Sequence, residues 1–201
     1  MKMIIGLDEV GRGALAGPVV VGCVAVPVAR FSSLLSMAQT AGLFLRDSKK
    51  LTIHQRGAWY DFLRAQPFVL FRTAFVSAAI VDRINVSAAA NRAALSAFRR
   101  VISCIDNGTS YDVYLDGGLF LGNTTKSRRF GKTIVRADVT VPVVSMASIV
   151  AKVVRDRRMD LYGRIFPEYG FSRHKGYGTA SHYEALRHYK TSPLHRLTFL
   201  K

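Results

Sequence analysis

Asp8 and Glu9 stand side by side, the only acidic residues in the first 46 positions of a 201-residue chain with a formal net charge of +16. Adjacent carboxylates repel, and a fold keeps such a pair at a strand end mainly when something positive sits there. In so basic a chain the economical partner is a divalent metal that also meets phosphate. Asp116 and Asp138 extend the set to four. Each acid ends a strand-like run: Met3-Ile4-Ile5-Gly6-Leu7 before Asp8-Glu9, Tyr111 to Leu115 before Asp116, and Lys132 to Ala137 before Asp138. Neighbouring strands of one sheet bring their ends together, so the four acids can meet despite their separation in sequence. Two Mg²⁺ or Mn²⁺ ions roughly 3.5–4 Å apart would neutralise them and clamp the attacking and leaving oxygens of a phosphodiester. Oxygen ligands with no His or Cys beside them favour these ions over zinc. For any one acid taken alone, a solvated turn after a strand is the plain alternative.

The elements that must position these residues are legible in outline. Pro18 to Pro27 (PVVVGCVAVP) reads as a second strand, joined to the first by a glycine-punctuated connection. Thr52 with Gln55 forms a capping box for a helix through about Arg64. Phe68 to Ser77 is strand-like, and Ala88 to Ile105 has apolar residues at helical spacing. From Val143 a long amphipathic helix runs through the SMASIVAKVVRDRRMDLYGRIF segment, and residues 179–190 form another. Strands first and then mostly helices predict an α/β core, residues 1–142, with a helical C-terminal portion, residues 143–201, packed on it as one structural unit.

Composition narrows the function classes. A hydrophobic content of 49% supports a proper core and excludes a disordered chain. The basic excess is uneven: residues 121–201 hold 16 Lys and Arg against 5 acids, and residues 1–120 hold 13 against 8. That asymmetry points to a polyanion, ordinarily nucleic acid. Cys23 and Cys104 sit in apolar runs, read as small core residues, and form neither a zinc motif nor a disulfide framework, so a reducing, cytoplasmic setting is expected. The uncharged stretch Ala14 to Ala29 is 16 residues with two prolines, too short for the roughly 18 apolar residues of a membrane span. A soluble protein with no membrane partner is the expectation.

Other motifs carry less. Gly11-x-Gly13-x-x-x-Gly17 precedes a Pro and a Val run instead of the helix a dinucleotide loop needs, and residues 122–127 lack the glycine before Lys126 that a P-loop requires. Ser148 and Lys152 share a helix face at i, i+4, which reads as helix packing plus a phosphate contact. His174, His182, His188 and His195 share no ligand spacing and read as surface or structural residues. Leu197-Thr-Phe199-Leu200 lacks the Gln that begins a sliding-clamp motif, and packing is its expected role.

Gly6-Leu-Asp8-Glu9-Val-Gly11-Arg12-Gly13, followed by Leu15-Ala-Gly17-Pro18-Val, resembles the opening motif of ribonuclease HII, the bacterial type 2 ribonuclease H. The resemblance continues through Asp47-Ser48-Lys49-Lys50-Leu51, Asp116-Gly117, and Asp138 with Ala147-Ser148-Ile149-Val150-Ala151-Lys152-Val153. It closes with His174-Lys175-Gly176-Tyr177-Gly178-Thr179 and Pro193-Leu194-His195-Arg196, so it spans nearly the whole chain in order. Val10 stands where that family usually has Ala and is more like the sister family ribonuclease HIII, but Gly11-Arg12-Gly13 follows the ribonuclease HII pattern.

The resemblance implies a ribonuclease H-like fold, a mixed central sheet flanked by helices, with Asp8, Glu9, Asp116 and Asp138 at the family's four acidic positions. It implies cleavage of the RNA strand of RNA–DNA hybrids and incision 5′ to single ribonucleotides in duplex DNA. Two Mg²⁺ or Mn²⁺ ions would serve, and 3′-hydroxyl and 5′-phosphate ends would result, from a chain acting as a monomer. Gly11 and Gly13 would let the backbone approach the ribose 2′-OH. Arg12 and Lys49 would hold phosphates, with Ser48 and Lys152 beside them, and Tyr177 would pack on the deoxyribose after the ribonucleotide. Arg155, Arg157, Arg158, Arg173 and Lys175 would grip the rest of the backbone. Two alternatives stay open: another nuclease of this broad fold, of ribonuclease HIII, resolvase or integrase type, and a non-catalytic nucleic-acid-binding protein.

Overall fold

A computed structural model describes residues 1–121 and 130–200; the stretch 122–127 considered above lies outside them. Among the described residues, five strands form one mixed sheet: β1 (Lys2–Val10), β2 (Val19–Pro27), β3 (Leu70–Val76), β4 (Ser110–Asp116) and β5 (Lys132–Ile134). Their order is β3-β2-β1-β4-β5. β1 and β3 each run antiparallel to β2, while β4 runs parallel to both β1 and β5. The helices are α1 (Val28–Thr40), α2 (Ile53–Ala65), α3 (Ala78–Ile84), α4 (Val86–Ile102), α5 (Ala137–Thr140), α6 (Pro142–Ile165), α7 (Phe171–His174) and α8 (Ala180–Tyr189).

Strand alternation sends Met3, Ile5 and Leu7 of β1 to one face, where they meet the alanine row Ala89, Ala90, Ala93, Ala94 and Ala97 of α4. The other face holds Val24 and Val26 of β2 with Trp59 and Leu63 of α2 and the buried residues of α6. Both faces of the sheet are therefore covered, which is why all nine residues of β2 are buried and why its sequence is an unbroken apolar run. Trp59→Ala would empty a fully enclosed site and cost about 3–5 kcal/mol.

α6 lies close on the sheet because two strand glycines make room. A Cβ at Gly6 would collide with the Val143 carbonyl, and one at Gly22 with the Ala147 carbonyl. This contact carries Ser148 and Lys152 to the C-terminal end of β1. The first half of α6, Val143 to Ala151, is buried all round, so its amphipathic pattern holds only for the later turns.

Several sequence expectations need correction. β5 is three residues long, and Asp138 does not end it; Arg136 takes a left-handed conformation (φ 59°) and Asp138 lies in the first turn of α5. α1 and α3 were not expected: α1 has no side-chain cap, no acid in its first turn and no base in its last. Cys23 is buried as expected, but Cys104 is exposed at the end of the α4 region. No described helix is long and apolar enough to cross a membrane.

Candidate active site

The register explains the convergence of the acids. Leu7 of β1 is level with Leu115 of β4, so the next residue on each strand, Asp8 and Asp116, lie side by side. Ligand oxygens of Asp8, Glu9 and Asp116 all fall within 4.8 Å of one another. Asp138 joins at the edge: its backbone N–H donates to Asp116 Oδ1 at 3.3 Å, and its carboxylate faces Lys49 Nζ at 3.8 Å. The expected four acids therefore share one cleft of about 610 Å³, although only three form the tight group.

Asp8 is 5% exposed, and burial, reinforced by the neighbouring Glu9 charge, raises its pKa well above the ordinary carboxylate value; a hydrogen bond from Ser148 opposes the shift. Burial also raises Glu9, with Arg12 pulling the other way, and raises Asp138, with Asp116 adding to it and Lys49 opposing. Among the described buried side-chain polar atoms, Glu9 Oε2 alone has no hydrogen-bond partner. An orphaned buried oxygen beside two more carboxylates, with no His or Cys in the group, fits a hard divalent cation.

Arg12 does not project freely toward substrate. Its Nη1 donates to Glu9 Oε1 at 3.1 Å and its Nη2 to Ser87 Oγ on α4 at 2.9 Å. Gly11 holds φ +90°, and a Cβ there would strike the Arg155 guanidinium. Gly13 differs: nothing lies within 4 Å of where its Cβ would be, so the fold itself makes no steric demand for glycine there. Ser48 Oγ and Ser148 Oγ are 2.8 Å apart, and Lys152 Nζ donates to Asp156 Oδ1 at 2.8 Å. The capping box at Thr52 and Gln55 starts α2 as expected. One turn on, Arg56 donates to the carbonyls of Ser48 and Leu51 and so holds the loop that carries Lys49. Arg56 lines the cleft and was missed in the sequence; a lone base on a capped helix is ordinarily solvated.

Arg155 was expected to grip phosphate, and the structure places it elsewhere. It is fully buried, donating to the carbonyls of Pro18 (3.0 Å), Ala16 (3.3 Å) and Lys175 (2.9 Å). Arg196, also fully buried, donates to the carbonyls of Gly17 and Arg12. Burial, with the nearby Arg155 charge, lowers the Arg196 pKa to about 10, which leaves it cationic at neutral pH. Two buried guanidiniums thus set the shape of the loop that presents Gly11, Arg12 and Gly13. Lys175 is tied to Asp160, whereas Arg157, Arg158 and Arg173 are exposed. Tyr177 lines the cleft, its ring 5.3 Å from the Arg155 guanidinium and 5.9 Å from Lys152 Nζ.

A mixed sheet whose central strand ends converge on an acidic cleft is the arrangement of a ribonuclease H-type hydrolase, and this all-oxygen donor set fits a divalent metal. The model of the ribonuclease HII family matches residues 5–201. The chain is 37% identical to ribonuclease HII of Treponema denticola, covering 98% of each chain, and 37% identical to that of Chlamydia pneumoniae, covering 98% of this chain and 83% of the relative. It therefore belongs to the ribonuclease HII family, whose activity is ribonuclease H cleavage of RNA–DNA hybrids. Solved structures agree on the fold. The structure of the PCNA:RNase HII complex from Archaeoglobus fulgidus matches at TM-score 0.71 and 22% identity, over 97% of this chain and 94% of that one. Bst-RNase HIII in complex with Mn²⁺ matches at TM-score 0.73 and 19% identity, over 98% of this chain and 66% of that one.

Proposed function

We propose that this chain, acting as a monomer, cuts the RNA strand of RNA–DNA hybrids and also incises 5′ to single ribonucleotides embedded in duplex DNA, by a two-metal-ion reaction. The observation that carries the reading is the group of Asp8, Glu9 and Asp116 oxygens with the orphaned Glu9 Oε2, set in a cleft rimmed by Gly13, Lys49 and Tyr177.

Asp8, Glu9, Asp116 and Asp138 would hold two Mg²⁺ or Mn²⁺ ions; the Mn²⁺ complex of the HIII relative supports a divalent ion of this kind. When bound, such ions supply Lewis acidity, activating water for attack at phosphorus and stabilising the leaving 3′ oxygen. The chain's own residues do the rest. Asp8, the buried member of the group, would hold the ions from within the cleft, with Glu9, Asp116 and Asp138 completing the ligand set. The open space above Gly13 lets backbone approach a ribose, where a 2′-OH is told from hydrogen by a donor and acceptor. Lys49 neutralises charge at the Asp138 edge and would hold a phosphate, a contact that positions a duplex without reading its sequence, while Arg12 stays committed to Glu9 and Ser87. Tyr177 offers an aromatic face to the sugar that follows the ribonucleotide, where a further 2′-OH would collide. We do not extend the proposal to a sliding clamp: Leu197–Phe199 is a short 3₁₀ turn whose backbone amides at Leu197 and Thr198 donate to Asp82.

The test is one duplex DNA with a single ribonucleotide, the same duplex without it and one continuous RNA–DNA hybrid, each incubated with Mg²⁺, with Mn²⁺ and with neither. Metal-dependent incision 5′ to the lone ribonucleotide, leaving 3′-hydroxyl and 5′-phosphate ends, is expected. Cutting of the hybrid alone would remove the single-ribonucleotide activity from the proposal. Binding without metal-dependent cleavage would point to a non-catalytic protein, and equal cutting of all-DNA duplex to another nuclease of the fold.

A further inference from the structure

Three histidines outside the acidic cleft form a buried stack. The His174 and His182 rings are 4.2 Å apart and nearly parallel, and those of His182 and His195 are 5.2 Å apart. Phe171 and Tyr169 pack around them. His182 is 0% exposed and His195 3%, yet neither binds an acid; their partners are backbone groups, Ser192 and each other.

Those partners fix every proton. The Ser192 backbone N–H donates to His195 Nδ1 at 2.9 Å, so that nitrogen is an acceptor and the His195 proton resides on Nε2. His195 Nε2 lies 3.0 Å from His182 Nε2, which must then accept. The His182 proton is left on Nδ1, where it donates to the Tyr177 carbonyl at 2.9 Å. All three bonds point the same way, from the C-terminal segment to Tyr177. Reversing any one would set two N–H groups face to face. His174 buttresses the same loop independently: the Gly176 N–H donates to its Nδ1 at 3.1 Å, and its Nε2 donates to the Tyr169 carbonyl at 2.7 Å. The segment that starts this relay also reaches the loop carrying Gly11 and Gly13, since the Gly17 N–H donates to the Leu194 carbonyl and the Arg196 N–H to the Leu15 carbonyl, each at 2.8 Å.

We propose that His182 is a positioning residue for Tyr177: its Nδ1–H, placed on that nitrogen by the His195 and Ser192 bonds that fix its tautomer, holds the Tyr177 carbonyl, fixes the aim of its ring into the cleft, and so sets the preference for single embedded ribonucleotides over continuous RNA. The relay rests on the reading of Tyr177 given under the proposed function. Tyr177 sits between Gly176, at φ +83°, and Gly178, so its neighbours supply no side chains to hold it. Apart from a local bond from the Thr179 N–H, the carbonyl is gripped only by His182 among the described contacts. The ring meets its loose electrostatic partners, Lys152 and Arg155, at more than 5 Å.

The experiment measures kcat/KM on a duplex with one ribonucleotide and on a continuous hybrid of the same sequence, and takes their ratio as selectivity. The variants are Tyr177→Ala, His182→Phe, the double variant, His182→Asn and His182→Gln. His182→Phe keeps the ring shape and removes both relay bonds; selectivity should drop at least about fivefold, in line with one lost hydrogen bond. His182→Asn returns an amide donor to the Nδ1 position and should restore selectivity to within about twofold, whereas His182→Gln places its amide toward His195 and should not. The double variant should match Tyr177→Ala, because a positioning residue has nothing left to position. Where His182→Phe does not fold, the Asn and Gln pair decides. A selectivity drop in Tyr177→Ala with none in folded His182→Phe, or losses that add in the double variant, would overturn the relay and leave the Tyr177 reading standing. Unchanged selectivity in Tyr177→Ala would overturn the Tyr177 reading, and the relay with it.

Discussion

Arg12 satisfies one oxygen of Glu9 and leaves the other alone: Arg12 Nη1 is 3.1 Å from Glu9 Oε1, while Glu9 Oε2 is buried without a partner. Arg12 is itself fixed by Ser87, so it is a half-measure that cannot also serve the second oxygen. The same cleft holds Asp8, whose burial and proximity to Glu9 disfavour its charge. The metal-free protein thus carries a standing electrostatic penalty that a divalent cation bound there would relieve.

Divalent cations should therefore raise the melting temperature of metal-free wild-type protein. At about a hundredfold excess over the dissociation constant the stabilisation is about 2.7 kcal/mol. Asp116→Asn and Asp138→Asn should each fold with a melting temperature in chelator no lower than wild type, since an amide keeps the shape and relieves repulsion. Both should lose most of the cation-dependent rise and nearly all cleavage. Calorimetry with and without Mg²⁺, alongside turnover, checks this, and more than about a tenth of wild-type turnover in either variant would sink the assignment of these acids.

The two glycines of the Gly11-Arg12-Gly13 motif should fail in different ways. Gly11→Ala must hold a left-handed φ and displace the Arg155 guanidinium, so it should destabilise the fold by about 1–3 kcal/mol. Gly13→Ala meets nothing and should melt like wild type. Its loss should appear in activity on a single embedded ribonucleotide, because the added methyl stands where backbone must approach the ribose. Denaturant melts and kinetics on both variants separate the two outcomes.

Duplex binding should weaken steeply with salt and ignore base sequence. Arg157 and Arg158 are exposed, their guanidiniums 4.7 Å from the Tyr60 ring of α2 and 5.2 Å from the Phe75 ring of β3, so each leans from α6 onto a neighbouring element. Replacing both with Ala should flatten the log–log salt slope by about 1–2 and weaken all duplexes alike. Titrations on two unrelated sequences at several salt concentrations test it; a loss confined to one sequence contradicts it.

Acid should destabilise the protein through the histidine stack. Burial lowers the His182 pKa to about 4 and lowers those of His174 and His195 from the usual 6.5. Between these limits the unfolded chain binds protons that the folded stack refuses, so stability falls as pH drops from about 6.5 toward 4 and is unaffected by the stack above about pH 7. His182 alone accounts for up to about 3 kcal/mol. The raised carboxylates of the cleft act in the opposite sense, so the informative measurement is melting temperature against pH for wild type and His182→Asn, with a shallower acid limb expected in the variant.

Much of this protein was legible without coordinates where the signal was local. The Thr52–Gln55 box, the Val-rich run of β2 and the helical spacing of α4 and α6 each depend on neighbours within a few positions, so the sequence carries them whole. The meeting of the four acids in one cleft was legible for a related reason: each stands near the end of a strand-like run, and neighbouring strands bring their ends together. Contacts between distant segments decided the rest. Asp138 sits on a short helix because Arg136 turns left-handed after a three-residue strand. α1 forms although it has no side-chain cap; Leu34 and Ala38 are buried against the sheet face shared with α6, and that contact is written in no local pattern. Arg155 and Arg196 look like any other basic residues in a basic half-chain, and only the folded loop surrounds them with carbonyls instead of phosphate. Local propensity and spacing determine which elements form and which residue types they carry; whether a cation faces solvent, a carboxylate or a ring of carbonyls depends on segments more than a hundred positions apart, and only tertiary packing brings those together.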